Sequence, residues 1–94
     1  MMITFSAKLT FHIPYAQSLK DKRAVARGLI DKTRNKYNAS VAEVDTQEAH
    51  QVLTLGVAVV SGEHSHARDM LDDILRFMER NTDAELTSVE ENIG

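Results

Sequence analysis

Hydrophobic and polar residues alternate one by one through residues 2–13. A period of two is typical of a β-strand with one buried face. Pro14, which has no backbone N–H for a strand ladder, ends the segment. The opposite side, from Thr4 to His12, is polar and needs no cover. The residues on the hydrophobic side are Ile3, Phe5, Ala7, Leu9, Phe11 and Ile13.

A helical period replaces the alternation after Ser18. Ser18 and Asp21 have the spacing of a capping box, which satisfies free amides at the start of a helix. Asn38 suits the exit of this helix, because asparagine tolerates the left-handed backbone conformation. Gly28, in mid-helix, either permits a close approach to the sheet or is a tolerated surface glycine. The predicted core-facing stripe consists of Leu19, Ala26, Leu29, Ile30, Thr33 and Tyr37.

A second helix is predicted over residues 65–80, where the helical period returns after Ser61 and Gly62. Asp72 and Arg76 are four residues apart on its outer side, a spacing that favours an ion pair. Its inward-facing residues are Ala67, Met70, Leu71, Ile74, Leu75, Phe77 and Met78.

Three further segments read as strands. Residues 39–46 are short and rich in β-branched side chains, and polar residues 47–51 connect them to the next segment. Residues 52–60 are apolar on both parities, as expected of a central strand. Residues 84–91 alternate more weakly and carry charges, which is typical of an edge strand.

The resulting order is β-α-β-β-α-β over a single domain of residues 1–94. Two β-α-β halves with right-handed crossovers give a four-stranded antiparallel sheet with both helices on one face. The sequence therefore predicts an α+β, ferredoxin-like sandwich whose second sheet face is uncovered.

The net charge of −3 hides an uneven distribution. Residues 1–36 contain eight basic and two acidic side chains, a net of +6, whereas residues 37–94 contain three basic and twelve acidic ones, a net of −9. Such a division permits contact with an anionic partner on one side of the molecule.

The first helix carries the candidate binding site. Its N-terminal amides and cations suit the phosphates of RNA. The alternative is a solvated helix face that only keeps the protein in solution. The cations of one helix face are Lys20, Arg23, Arg27 and Arg34, with Lys8 and Lys22 as flanking residues.

Three segments of the chain form a specific pattern by their order and spacing: HIPYAQSLKDKRAV (12–25), NASVAEVD (38–45) and LGVAVVS (55–61). Together they resemble the YlxP-like family of small bacterial proteins, a domain of unknown function. The resemblance implies a ferredoxin-like fold and no established activity. Genes of this family often lie among those for translation and ribosome maturation, which implies ribosomal RNA or a ribosomal particle as partner. His50 stands where the family usually has an aromatic residue, often tryptophan.

Little in the chain indicates catalysis. It has no cysteine, no phosphate-binding glycine loop and no H-E-x-x-H zinc motif, so we expect no catalytic residue, metal, cofactor or small-molecule substrate. Glu43 and Asp45 are expected to share one strand face with His50 nearby. They form a cation site or, more simply, an exposed charged face or ion pairs with the basic helix. His64 and His66 lack an evident third ligand.

For base stacking, the open sheet face offers His12 at most on the first strand and no aromatic residue on the third. This disfavours binding in the manner of an RNA-recognition motif. No segment is long and apolar enough to span a membrane, and no signal peptide is evident. The sequence favours a non-enzymatic cytoplasmic accessory protein that contacts structured RNA through its first helix. The alternative is a homodimer or protein-binding module that acts through its open sheet.

Overall fold

The computed structural model describes residues 1–93 and confirms the predicted order of elements. Two successive β-α-β units form the ferredoxin-like α+β sandwich. The elements are β1 (Ile3–His12), α1 (Leu19–Lys36), β2 (Ser40–Glu43), β3 (Val52–Ser61), α2 (His64–Arg80) and β4 (Glu85–Ile93).

The four strands form one antiparallel sheet in the order β2-β3-β1-β4. The central pair, β1 and β3, is in register from Ile3–Ser61 to His12–Val52. Both helices pack on one face, α1 over β2 and β3, and α2 over β1 and β3. Within residues 1–93, no helix combines the length and apolar character needed to cross a bilayer.

The core lies between the sheet and the two helices. The alternate residues of β1 that the period of two placed inward, from Phe5 to Phe11, are buried. The helices contribute a four-residue stripe each, and these stripes confirm the predicted helix faces except at Lys22. The buried helix residues are Lys22, Ala26, Leu29 and Thr33 on α1, and Ala67, Leu71, Ile74 and Met78 on α2.

The start of α1 confirms the capping interaction. The Ser18 hydroxyl accepts a hydrogen bond from the Asp21 amide at 3.1 Å. The Asp21 carboxylate accepts one from the Gln17 amide at 2.9 Å. These bonds satisfy amides that have no intrahelical acceptor, and they fix where the chain enters the helix.

The second predicted strand is shorter than its pattern suggested. It ends at Glu43 rather than at residue 46, because Asp45 adopts a left-handed conformation with φ of 62°. The Thr46 hydroxyl then accepts a hydrogen bond from the Thr54 amide, in place of a strand carbonyl. Val44 still lies on the open face with Ser40 and Ala42, and the alternation of side chains between the two faces ends at Asp45.

The outer side of α2 pairs differently from the prediction. Asp72 pairs with Arg68 at 2.7 Å, and Arg76 pairs with Asp73, so the expected Asp72–Arg76 pair does not form. Arg68 also donates two hydrogen bonds to Glu91 on β4. These bonds lower the pKa of the Glu91 carboxyl and join α2 to an edge strand that is otherwise mostly exposed.

Gly28 is a surface glycine, since a Cβ added there would meet no atom within 4 Å. Alanine has a higher helix propensity than glycine because it loses less backbone entropy. We expect Gly28→Ala to raise the free energy of unfolding by about 0.5–1 kcal/mol. Urea denaturation followed by circular dichroism measures this change. A lower stability in the variant would show that the helix needs glycine at this position.

Candidate functional site

The exposed side of α1 carries a row of three cations, Lys20, Arg23 and Arg27. All three are solvent-exposed. Within residues 1–93, none lies within ion-pair distance of a carboxylate. Offsets of three and seven residues place them on one flank of the helix, over about 10 Å of its axis. This α1 row can therefore offer its charges to an outside anion without breaking an internal pair.

Arg34 continues the α1 row but is partly engaged within the protein. Its Nη2 donates a hydrogen bond to the carbonyl of Val41 on the edge strand β2 at 2.5 Å. The side chain remains exposed, and a guanidinium has five N–H donors in total. Arg34 therefore joins α1 to the sheet edge and still has donors for a ligand.

Lys22 does not lie beside the α1 row, so the prediction that it flanks the binding surface is wrong. Its side chain is 0% exposed. The ammonium forms an ion pair with Glu43, at 2.9 Å from Oε2, but the geometry is not that of a hydrogen bond. It donates hydrogen bonds to the carbonyls of Thr46 and Gln47 at 2.6 and 3.2 Å. Lys22 thus fixes the connection after β2 to α1 and is not available to an outside ligand.

Lys8 is also separated from the α1 row. It alternates along β1 with buried residues that face the helices, so it lies on the open face of the sheet. Its ammonium is 2.9 Å from Asp45 and 3.6 Å from Glu90. The hydrogen bond to Asp45 and the negative charge of both carboxylates raise the pKa of Lys8. The expectation that Lys8 flanks the helix surface is therefore wrong.

The suggested cation site does not assemble. Glu43 contacts Lys22 beneath α1, whereas Asp45 contacts Lys8 on the open face, so these carboxylates do not share a face. The left-handed backbone at Asp45 is the reason. His50 is exposed in the connection that follows. Among residues 1–93, no group of three or more histidine, aspartate or glutamate side chains is arranged to hold a metal ion.

The two histidines at the start of α2 have separate contacts. His64 packs edge-on against Phe5, with ring centroids 4.9 Å apart. His66 Nδ1 lies 3.0 Å from the hydroxyl of Ser61, which also accepts a hydrogen bond from the Glu63 amide. These contacts close the start of the helix against the end of β3.

A second basic cluster, missed in the sequence, lies where the last turns of α1 and α2 meet. Two aromatic rings, Tyr37 and Phe77, pack edge-on there at 5.5 Å. The Lys36 ammonium lies 5.2 Å from the Phe77 ring centre. A hollow of 420 Å³ adjoins them. In the sequence, this cluster is indicated by the four-residue spacing between Lys32 and Lys36 and between Arg76 and Arg80. We call this the helix-end hollow; its lining is Lys36, Tyr37, Asp73, Arg76, Phe77, Arg80 and Asn81.

The open face of the sheet contains a shallow depression of 720 Å³. Small residues form its floor, and the Lys8, Asp45 and Glu90 side chains stand at its border. Val60, on the same face, is 60% exposed. Five of the small floor residues are Ser6, Ser40, Ala42, Gly56 and Ala58.

The fold and the site define a small ferredoxin-like α+β protein with a basic helix layer. The de novo designed protein Foldit4 has a similar structure, with a TM-score of 0.58 over 100% of this chain and 97% of its own. The sequence identity is 10%, so this likeness concerns the fold alone.

Residues 4–91 match the family described as "Protein of unknown function (DUF503)". The uncharacterized protein YlxP of Bacillus subtilis (strain 168) is 33% identical over 72 residues, which cover 77% of this chain and 78% of that protein. The chain therefore belongs to the DUF503 family, and the YlxP-like resemblance of its sequence is confirmed.

Proposed function

We propose that this protein is a non-enzymatic cytoplasmic accessory factor that contacts structured RNA, in particular ribosomal RNA, through the exposed side of α1. The observation that carries the proposal is the distribution of paired and unpaired cations. Within residues 1–93, Lys8, Lys22, Arg68 and Arg76 form ion pairs with carboxylates. The cations without a carboxylate partner are Lys20, Arg23, Arg27, Lys32, Arg34 and Lys36 on α1, and Arg80 on α2.

This distribution leaves the helix layer positive in a protein whose net charge is −3. Unpaired surface cations gain most from a polyanion, because binding releases the counterions of the nucleic acid. Side chains that contact phosphates supply affinity and orientation without reading the base sequence. The proposed mode is therefore recognition of an RNA backbone and its shape. The resemblance to a family whose genes lie among translation genes supports ribosomal RNA as the ligand.

The test is a triple charge reversal, Lys20→Glu, Arg23→Glu and Arg27→Glu. We expect the affinity for ribosomal RNA to fall by about tenfold to hundredfold at fixed salt, because three phosphate contacts become repulsions. Filter binding or fluorescence anisotropy with purified RNA measures the change. Unchanged affinity in the folded variant would contradict the proposal.

Two controls separate the α1 row from a general effect of charge. The exchange Lys20→Arg, Arg23→Lys and Arg27→Lys keeps every charge and should retain binding. Ser88→Glu with Asn92→Glu makes the protein more acidic on β4, away from α1, and should lower affinity only slightly. The triple reversal changes the net charge by −6 and this control by −2, so an equal loss of binding free energy per unit of charge would assign the effect to net charge rather than to α1.

A second candidate function is self-association through the open sheet face. The supporting observation is Val60, which is 60% exposed beside the depression of small residues. A second copy related by a two-fold axis could cover both faces at once. Analytical ultracentrifugation at micromolar concentration should then show a dimer that Val60→Glu dissociates. A monomer of the unaltered protein contradicts this candidate.

A further inference from the structure

The helix-end hollow combines two features that RNA ligands require, exposed positive charge and accessible aromatic surface. Its cations outnumber its one carboxylate, Asp73, by three to one. The rings of Tyr37 and Phe77 are half-buried and form part of its lining. Nucleobases bind such rings by stacking, and the phosphates on either side of the base bind lysine and arginine.

The position of Lys36 shows that the aromatic surface is reachable from solvent. Its ammonium lies 5.2 Å from the centre of the Phe77 ring and 5.9 Å from that of Tyr37. Lys36 is itself exposed, so this cation occupies ring surface that a ligand could cover instead. A stacked base covers more of a ring than an exposed ammonium does, and the released ammonium can bind the adjacent phosphate.

The other cations of the hollow are also free to exchange partners. Arg76 pairs with Asp73, but both side chains are more than half exposed, and exposed pairs hold weakly. Arg80 has no carboxylate partner within residues 1–93. A guanidinium binds phosphate through parallel N–H···O bonds, which gives it an advantage over the single carboxylate contact.

We propose that the helix-end hollow binds one unpaired nucleotide of an RNA. The base stacks on the Tyr37 ring and meets the Phe77 ring edge-on, because the two rings stand at 78° to each other. The flanking phosphates contact Lys36, Arg76 and Arg80. This inference rests on the proposed contact between α1 and RNA, and it adds a preference for RNA in which a base is unpaired beside a duplex. Lys32 lies one helical turn before Lys36 and links the hollow to the rest of α1.

The volume of the hollow, 420 Å³, lies within the range of about 300–1,000 Å³ that is usual for small-molecule sites. The hollow is open and its rings are fixed by packing against the core, so a base could enter without rearrangement of the fold. A purely structural role of the same residues would be contact between the helices, with cations near helix C-termini favoured by the helix dipole. The experiment distinguishes these roles.

The probe is a pair of RNA hairpins that differ at one position, where one has a bulged adenosine and the other an abasic residue. Both retain the same phosphates, so the α1 row contacts them equally. We expect the bulged hairpin to bind about tenfold more tightly, as befits one base stacked on aromatic side chains. Tyr37→Leu should abolish this preference and leave the affinity for the abasic hairpin unchanged; Phe77→Leu is the second variant, in case the first does not fold.

Tyrosine fluorescence gives an independent readout of stacking. The chain has two tyrosines and no tryptophan, so Tyr15→Phe leaves Tyr37 as the only tyrosine emitter. The bulged hairpin should quench this emission, and the abasic hairpin should leave it nearly unchanged. Equal quenching by both hairpins would contradict stacking on Tyr37.

The outcomes separate this inference from the proposed function. Equal, salt-sensitive affinity for both hairpins overturns the nucleotide site and leaves RNA contact by α1 intact. A tenfold preference for the bulged hairpin that persists when Lys20, Arg23 and Arg27 are reversed to glutamate supports the hollow. If this reversal also leaves the overall RNA affinity unchanged, RNA contact by the α1 row is contradicted. Absence of binding to either hairpin overturns both proposals.

Discussion

Replacing Lys22 by methionine is expected to lower the free energy of unfolding by about 3 kcal/mol or more, although the position lies on a charged helix. The side chain is completely buried, and its ammonium is close to Glu43 and to the carbonyls of Thr46 and Gln47. Methionine fills a similar volume but donates no hydrogen bond. The Glu43 carboxylate and the carbonyls of Thr46 and Gln47 therefore lose their cationic partner in a partly buried environment.

Urea denaturation followed by circular dichroism measures this loss, with Lys32→Met as the matched control. Lys32 is exposed on the same helix and has no carboxylate partner within residues 1–93, so its replacement should change stability by less than about 0.5 kcal/mol. The double variant Lys22→Met with Glu43→Gln should lose less than the sum of the two single losses, because both charges are gone. A loss below about 1 kcal/mol for Lys22→Met would contradict the buried ion pair.

Leu71→Ala is expected to cost about 2–5 kcal/mol of stability. Leu71 is fully buried on the face of α2 that packs against β1 and β3. Alanine removes three carbon atoms from a core without a substitute to fill the space, so dispersion contacts and hydrophobic burial are lost together.

Val60→Ala provides the comparison for this prediction, because Val60 is apolar but 60% exposed on the open face. Its replacement in the monomer should change the free energy of unfolding by less than about 0.5 kcal/mol. If Leu71→Ala also cost less than about 0.5 kcal/mol in urea denaturation, the assigned inner face of α2 would be wrong.

Regular hydrophobic periods made most of the fold predictable. The alternation through residues 2–13 located β1, and the apolar run at 52–60 located its neighbour β3. Helical spacing predicted that α2 begins at residue 65, and in the structure it begins at His64. These signals are strong because each element buries one long face against the same core.

The prediction failed where a charge lies in the core or the backbone turns. Lys22 has the same helical spacing as Ala26, Leu29 and Thr33, so the period already placed it inward. Its charge indicated a surface position, because the spacing does not reveal that Glu43 is there to neutralise it. Asp45 continued the alternation of β2 in sequence, but its left-handed backbone directs the carboxylate to the open face.

The candidate site was predicted in part. The α1 row follows from helical spacing alone, and the structure places Lys20, Arg23 and Arg27 on the exposed side. The helix-end hollow could not be predicted in this way, because it requires Tyr37 and Phe77, forty residues apart, to meet at the ends of two helices. Tertiary packing, rather than local pattern, creates that site.

The segments that carry the family resemblance now have a structural meaning. SLKDKR (18–23) and VAEVD (41–45) meet in the Lys22–Glu43 pair, and Asp45 pairs with Lys8. Some of the residues that make these segments characteristic of the family therefore stabilise the fold. Lys20 and Arg23, in the first of these segments, point outward and are left for binding.

The most direct test of RNA contact by α1 is a salt titration of the purified protein with ribosomal RNA. The logarithm of the binding constant should fall linearly with the logarithm of salt concentration, and the three phosphate contacts of the α1 row should contribute about −2 to −3 to the slope. The triple reversal of Lys20, Arg23 and Arg27 should remove that contribution. No binding by a folded sample, or binding that is indifferent to salt, would contradict the account and leave α1 as a solvated helix face.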